Sequence, residues 1–218
     1  MLGAALAAGL AASGSDVVDL GVVTTPCLVH ASTDDRHAIG IMVSASHNPA
    51  PDNGLKVVVE GRKASDDIEA ELDRLIDDAS KIPVRSNHEL GRIRTDREPV
   101  DAYTRALRDI AGEAFVGLRI AIDCANGSAS AIAPGLFRSL GAEVTVLFDA
   151  PNGVNINDGC GSTHPERLAE TRPDVILILP WNLAPEISRQ LAYTKEWGAR
   201  LAVPIPTARY LEDEGERG

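Results

Sequence analysis

The residues best equipped for chemistry lie in one short stretch, Ser44-Ala45-Ser46-His47-Asn48-Pro49, followed closely by Asn53-Gly54-Leu55-Lys56. It holds a hydroxyl nucleophile, an imidazole and an ammonium group. The apolar run before it, His37 to Ser44, has strand length. A serine between a buried strand and a Pro-containing turn is expected at the end of a parallel strand, where α/β folds bind ligands. Backbone N–H groups exposed by such a turn can hold phosphate oxygens. If Ser46 carries a phosphate, it adds about −1.5 to −2 charges at neutral pH and needs countercharge to persist or to donate. Phosphoryl transfer relies on positioning and on neutralising the moving oxygens, so the loop calls for Mg²⁺ carboxylates elsewhere in the chain. By itself, the hexapeptide reads as a Ser/Asn-stabilised turn without chemistry.

The elements around the loop follow from periodicity. Residues 1–13 read as a helix ended by Gly14, Asp16–Leu20 as a strand, and Thr25–Ser32 as a helix with Pro26 in its first turn. Leu55–Glu60 is a strand. Ser65–Ala79 is a helix capped by Ser65, with Ile68, Leu72, Leu75 and Ile76 on one face. Residues 81–97 are polar and read as a connection. Then follow a helix (Val100–Ile110), a strand (Leu118–Asp123), a helix (Ala129–Leu140), a strand (Glu143–Phe148), a Gly/Asn-rich loop (Asp149–Thr163) and a short helix from Pro165. A strand (Asp174–Leu179), a helix (Leu183–Trp197) and a strand (Arg200–Ile205) complete the pattern. Alternating strands and helices predict an α/β fold of two small three-layer units with mixed, mainly parallel sheets.

Composition narrows the function classes. The net charge is −11 and no Lys/Arg run offsets it, which argues against nucleic acid and requires local cations or N–H groups for any anionic ligand. Cys27, Cys124 and Cys160 form no metal-knuckle spacing and read as buried thiols in a reducing, cytoplasmic compartment. The apolar start lacks a basic n-region, and no stretch is long enough to span a bilayer, so no membrane role is expected.

The longer run GIMVSASHNPAPDNGLKVVV, Gly40 to Val59, resembles the active-site loop of the α-D-phosphohexomutase superfamily nearly residue for residue. Two further runs, Asp123-Cys124-Ala125-Asn126-Gly127 and Asn155 to Pro165 (NINDGCGSTHP), are similar to the phosphoglucosamine mutase branch. The resemblance covers residues 1 to about 170. It implies that Ser46 is the phosphoserine and that His47 and Lys56 lie beside the reacting groups, as general base or phosphate anchor. Ser44, Asn48 and Asn53 are implied at the substrate phosphate. The implied reaction interconverts glucosamine 6-phosphate and glucosamine 1-phosphate, with a phosphorylated hexosamine as ligand. The implied cofactor is Mg²⁺, held in part by the phosphate on Ser46.

The chain also departs from that family. Members carry upstream G-T-D-G-x-R-G and G-R-D-T-R segments, whereas this chain starts inside the following helix. The first sheet is therefore expected to lack its N-terminal strand and to offer an unpaired edge for self-association. The family's D-G-D-x-D-R metal loop has no counterpart. Asp52, Asp123, Asp149 and Asp158 form no such cluster, so impaired activity is expected. From about residue 165 the chain resembles the C-terminal segment of sugar C-methyltransferases that use S-adenosylmethionine, through Leu179-Pro180-Trp181-Asn182-Leu183 and Glu196-Trp197-Gly198. The two tryptophans are also explained by simple packing of the 183–197 helix on the sheet. No G-x-G-x-x-G turn accompanies the tail. The expected organisation is residues 1–85 with the serine loop, a linker at 86–97, a second unit over 98–170, and a segment over 171–218 that completes it. Besides the mutase reading, a non-catalytic phosphosugar- or partner-binding fragment and a methyltransferase-related sugar-binding module stay open.

Overall fold

The structure, a computed structural model, describes residues 1–33, 39–78, 80, 82–179 and 181–211. The chain forms two compact units. The first comprises Met1–Ser46 and Asp52–Ala114, the second His47–Pro51 and Phe115–Gly218.

The first unit opens with α1 (Leu2–Ala12), which ends at Gly14 in the left-handed region (φ 96°), and continues into β1 (Val17–Asp19). Helix α2 (Thr25–Ala31) starts where the Thr24 hydroxyl accepts from the Cys27 N–H and Pro26 fills the first turn. Strand β2 (Ile39–Val43) and β3 (Leu55–Val59) pair antiparallel, Met42 facing Lys56 and Val43 facing Leu55. A two-residue strand β4 (Arg62–Lys63) adds to β3. Residues 37 and 38, read above as the start of the strand, lie outside the described residues.

Antiparallel pairing corrects the expectation that Ser46 ends a parallel strand. The connection from 44 to 54 holds no helix, and parallel neighbours need a crossover usually built from one. The sheets are mixed, and antiparallel pairings equal parallel ones among the described residues.

Gly40 explains how α2 lies on this hairpin. A Cβ there would collide with the Ser32 hydroxyl and come within 3.0 Å of the Leu28 side chain. Ser32 is buried, and its hydroxyl donates to the Leu28 carbonyl at 2.8 Å.

Helix α3 (Asp66–Asp77) has the expected Ser65 cap, accepting from the Ile68 N–H, and three acidic residues in its first turn. No residue of α3 is buried, and Ile76 is 68% exposed. The stretch read as a linker contributes structure: β5 (Ile93–Thr95) pairs parallel with β1, Val17 opposite Ile93. Helix α4 (Glu98–Ala111), expected to open the second unit, belongs to the first. It packs on α2, with buried Val100 and a tilted His30–Tyr103 ring contact at 5.5 Å.

In the second unit, β6 (Arg119–Asp123) and β7 (Glu143–Leu147) pair parallel around α5 (Ala133–Ser139). The helix expected over 129–140 is divided into a 3-10 turn at Ser128–Ala131 and α5, with Pro134 in the first turn of α5. Then come α6 (Glu166–Ala169), β8 (Val175–Leu177), α7 (Ala184–Gln190), β9 (Arg200–Val203) and β10 (Arg209–Tyr210). The helix expected over 183–197 stops at Gln190, and Ala192–Trp197 is 3-10, ended by left-handed Gly198.

Strand β8 pairs with β9, and β9 with β10. Among the described residues neither β6 nor β7 joins that sheet, so the tail forms a separate sheet instead of extending theirs. Its core is Ala169, Ile176, Ile178, Ala184, Ile187, Leu191 and Val203. Trp197 packs on this core and donates its ring N–H to the Pro173 carbonyl at 3.1 Å. Trp181, by contrast, is 49% exposed. Pro180 and the tail from 212 onward lie outside the described residues.

Candidate functional site

The serine loop leaves β2 at Ser44 and returns at Gly54. One further ladder bond extends the hairpin beyond its strands: the Ser44 N–H donates to the Gly54 carbonyl at 2.8 Å. Gly54 suits this approach, because a Cβ there would lie 3.2 Å from the Ser44 carbonyl oxygen. The loop is thus pinned at its base, and Ser46 to Asn53 project beyond it.

Ser46 is exposed and has a φ of 61°, in the left-handed region. For a side chain that is not Gly or Asn, this conformation costs roughly 1–2 kcal/mol. Part of the compensation is local. The Ser46 N–H donates to the Ser44 hydroxyl at 3.1 Å, a two-residue serine turn. Ser44, expected at the substrate phosphate, therefore shapes the backbone at Ser46. Strain of this kind at an exposed serine is a feature of functional turns.

His47, Asn48 and Asn53 are exposed in the loop, and Lys56 is exposed near the start of β3. Register places Lys56 opposite Met42 and on the same strand face as buried Val58. Ser46 and Lys56 thus sit at the same end of the hairpin.

The two Gly/Asn-rich runs fold against one another in the second unit. Asp123 is the centre. One carboxylate oxygen accepts from the Ala125 N–H and the other from the Gly161 N–H, each at 2.8 Å. Asn126, nearly buried, uses both ends of its amide: Nδ2 donates to the Asn155 carbonyl at 3.3 Å, and Oδ1 accepts from the Ala150 N–H at 3.2 Å. The Asn157 N–H donates to the Ala125 carbonyl at 3.0 Å. Ala125, Asn126, Phe148 and Asn157 all have positive φ, as do Gly159 and Gly161. From the same knot, Asn157 Nδ2 donates to the Asn48 carbonyl oxygen at 2.9 Å, within the second unit. In the sequence Asp123 and Asn157 stand out as members of the two family-like runs, and Asp123 also as one of the scattered carboxylates. The signal that could have assigned them structural work is residue type, since Asn tolerates left-handed backbone and Asp bonds nearby N–H groups.

The three cysteines are buried free thiols, as expected. Burial, with Asp149 and Asp123 nearby, pushes the Cys124 thiol up to about 11. Burial also raises Cys160, helped by Asp123 and Asp158, and raises Cys27 against the opposing pull of Arg97. Thiols this reluctant to ionise are not nucleophiles near neutrality.

The residues do not fit the expected metal. Among the described residues, no three His, Cys, Asp or Glu side chains gather as a site. Asp123 already commits both carboxylate oxygens to backbone N–H groups. Mg²⁺ needs fixed carboxylates in near-octahedral geometry. No helix among the described residues is long and apolar enough to cross a membrane.

Comparison with known proteins is consistent with this geometry. Residues 1–82 match the family described as phosphoglucomutase/phosphomannomutase, alpha/beta/alpha domain I. Residues 161–206 match the family described as C-methyltransferase C-terminal domain. The chain is 48% identical over 172 residues to phosphoglucosamine mutase of Symbiobacterium thermophilum, covering 78% of this chain and 38% of that protein. The corresponding enzyme of Bacillus subtilis is 44% identical over 171 residues, again 78% of this chain and 38% of the relative. The chain thus spans about two fifths of the length of these relatives. A solved phosphoglucomutase/phosphomannomutase family protein from Burkholderia thailandensis matches with a TM-score of 0.62 and 32% identity, over 78% of this chain and 37% of that one. A putative phosphomannomutase structure from Thermus thermophilus matches with a TM-score of 0.60 and 23% identity, over 93% of this chain and 43% of its own. That last likeness is one of fold alone. It extends into the segment that matches the methyltransferase family.

Proposed function

We propose that this chain, whose first 170 or so residues are related to the phosphoglucosamine mutases, carries a phosphoryl group on Ser46 and exchanges it with a phosphorylated hexosamine. The observation that supports this most is the exposed, left-handed Ser46, held by Ser44 at the tip of a pinned hairpin whose sequence is the family's serine loop.

In the forward half of the exchange, the phosphorus–oxygen bond at Ser46 breaks and a new one forms to a hydroxyl of glucosamine 6-phosphate. The sugar proton passes to a base, for which Lys56 and His47 are the candidates by position, and the departing Ser46 oxygen takes up a proton and becomes a hydroxyl again. The product of this step is the bisphosphate. Its other phosphate then returns to Ser46, which leaves glucosamine 1-phosphate. The chain's residues orient the serine and offer cations to the moving oxygens. Carboxylates to hold the Mg²⁺ that the resemblance implies do not gather among the described residues. Without them, turnover is expected to be slow, since a main device for stabilising the transferring group is missing.

The test is phosphate uptake. The protein is incubated with glucosamine 1,6-bisphosphate and Mg²⁺, and the phosphate is located by intact mass and peptide mapping. One phosphate on the peptide containing Ser46, lost in Ser46→Ala, is the expected result. A stably folded protein that takes up none contradicts the reading and favours a fragment that only binds. Self-association is a further proposal, supported by the pairing of β1 with β5 alone and of β2 with β3 alone among the described residues. Sedimentation velocity over a range of concentrations tests it, and a monomer throughout rejects it.

A further inference from the structure

We infer that Asn157 is a positioning residue for the serine loop, holding its His47–Pro51 limb in place from within the second unit; this rests on the reading of Ser46 as the phosphoryl carrier.

The limb lies beyond the hairpin's own ladder. Its residues from His47 to Pro51 are exposed apart from a half-buried Ala50, and the ladder bonds stop at Ser44 and Gly54. The Asn157 amide reaches the limb two residues past Ser46, with Nδ2 donating to the Asn48 carbonyl oxygen at 2.9 Å. A carbonyl can only accept, so the NH₂ end of the amide must face it. The other end lies toward Gly161, where a Cβ would come within 3.5 Å of Asn157 Oδ1 and 2.8 Å of the Ala125 Cβ. Glycine there, with a φ of 75°, leaves the amide its place.

Asn157 is fixed in turn from behind. Its backbone is left-handed, at φ 59°, and its N–H is tied to the Ala125 carbonyl. Ala125 is tied to Asp123, whose second carboxylate oxygen holds Gly161. A chain of bonds therefore runs from the Asp123 carboxylate through Ala125 and Asn157 to the loop. Asparagine is a side chain that both accepts the left-handed backbone and supplies a donor. Phosphoryl transfer depends on near-attack geometry, and displacements of about 1 Å are costly in rate. The residue needs no contact with substrate to matter.

The experiment compares the parent with Asn157→Gly, which keeps the left-handed backbone but removes the amide, and with Asn157→Asp, which keeps the shape but removes the donor. Two readouts are taken. The first is amide hydrogen exchange of the peptide spanning residues 44–54, which requires no activity. The second is the rate of Ser46 phosphorylation by glucosamine 1,6-bisphosphate at varied concentration. Faster exchange in both variants is expected. The limiting rate should fall about tenfold, with the half-saturating concentration changed less than about twofold. Exchange indistinguishable from the parent overturns the inference, and so does an unchanged limiting rate. A parent that takes up no phosphate overturns the carrier reading and the catalytic half of this inference together. Exchange then still decides whether Asn157 holds the limb.

Discussion

Two of the loops that use left-handed residues other than glycine treat them in opposite ways. The loop between β2 and β3 has one, Ser46, which is exposed and answered by the hydroxyl of Ser44. The knot formed by residues 123–126 and 155–161 has Ala125, Asn126 and Asn157, answered by a carboxylate, an amide and several backbone groups, with buried Cys160 beside them. Strain in the first loop presents a side chain to solvent. Strain in the second serves rigidity. A serine proposed to carry a phosphoryl group has to keep its hydroxyl reachable, while a loop that only holds its own backbone can be saturated with bonds.

Breaking the knot should have the largest effect. Asp123→Ala removes the acceptor for two N–H groups and should cost about 3 kcal/mol, read by urea denaturation. Asp123→Asn keeps one acceptor and should lose less. A near-neutral Asp123→Ala would erase the contrast between the loops.

Next is the base of the hairpin. Gly40→Ala puts a methyl group into the Ser32 and Leu28 side chains and should cost about 2 kcal/mol, also by urea denaturation. At the loop tip the sign reverses. Ser46→Gly relieves the left-handed backbone and should raise stability, by about 0.5 kcal/mol after the entropy cost of glycine, while abolishing phosphate uptake. A destabilised Ser46→Gly would mean that the serine side chain supports the loop instead of being presented by it.

The smallest effect concerns the thiol within the knot. Cys124 ionises at about 11 when folded, against 9.0 as the ordinary value. The raised value means that the unfolded chain loses its proton first. The contribution of this group is therefore complete below pH 9 and declines between pH 9 and about 11. Melting curves at about pH 8 and about pH 10.5, on either side of the onset of that decline, should show the parent losing more stability than Cys124→Ala. Equal losses would place Cys124 outside the knot's protected interior.

The sequence made some of this legible and concealed the rest, for local and non-local reasons respectively. The hairpin strands stood out because aliphatic runs flank a segment dense in Ser, Asn, Pro and Gly. Helix α3 showed both its period and its Ser65 cap. Strand β5 did not show: three residues between charged neighbours carry no periodic signal, and the partner strand β1 lies far upstream. The packing of α4 on α2 brings His30 to Tyr103, and Arg97 at the start of α4 bonds the Leu20 carbonyl just after β1 at 3.0 Å, neither of which is local. The antiparallel return of β3 was available from loop length, but the expected α/β alternation outweighed it. At the candidate site, the motif singles out Ser46. Its left-handed backbone and its bond to the Ser44 hydroxyl belong to the folded loop and leave no mark in the motif. Asn157 was visible as a motif member, and its reach to Asn48 was not.

The most direct test of Ser46 as a carrier is its discharge. Protein phosphorylated on Ser46 is freed of small molecules, mixed with glucosamine 6-phosphate, and followed by peptide mapping together with analysis of the sugar phosphates. The account predicts that phosphate leaves the Ser46 peptide as glucosamine 1,6-bisphosphate appears in equal amount. Phosphate that stays on Ser46, or leaves only as inorganic phosphate, would contradict it.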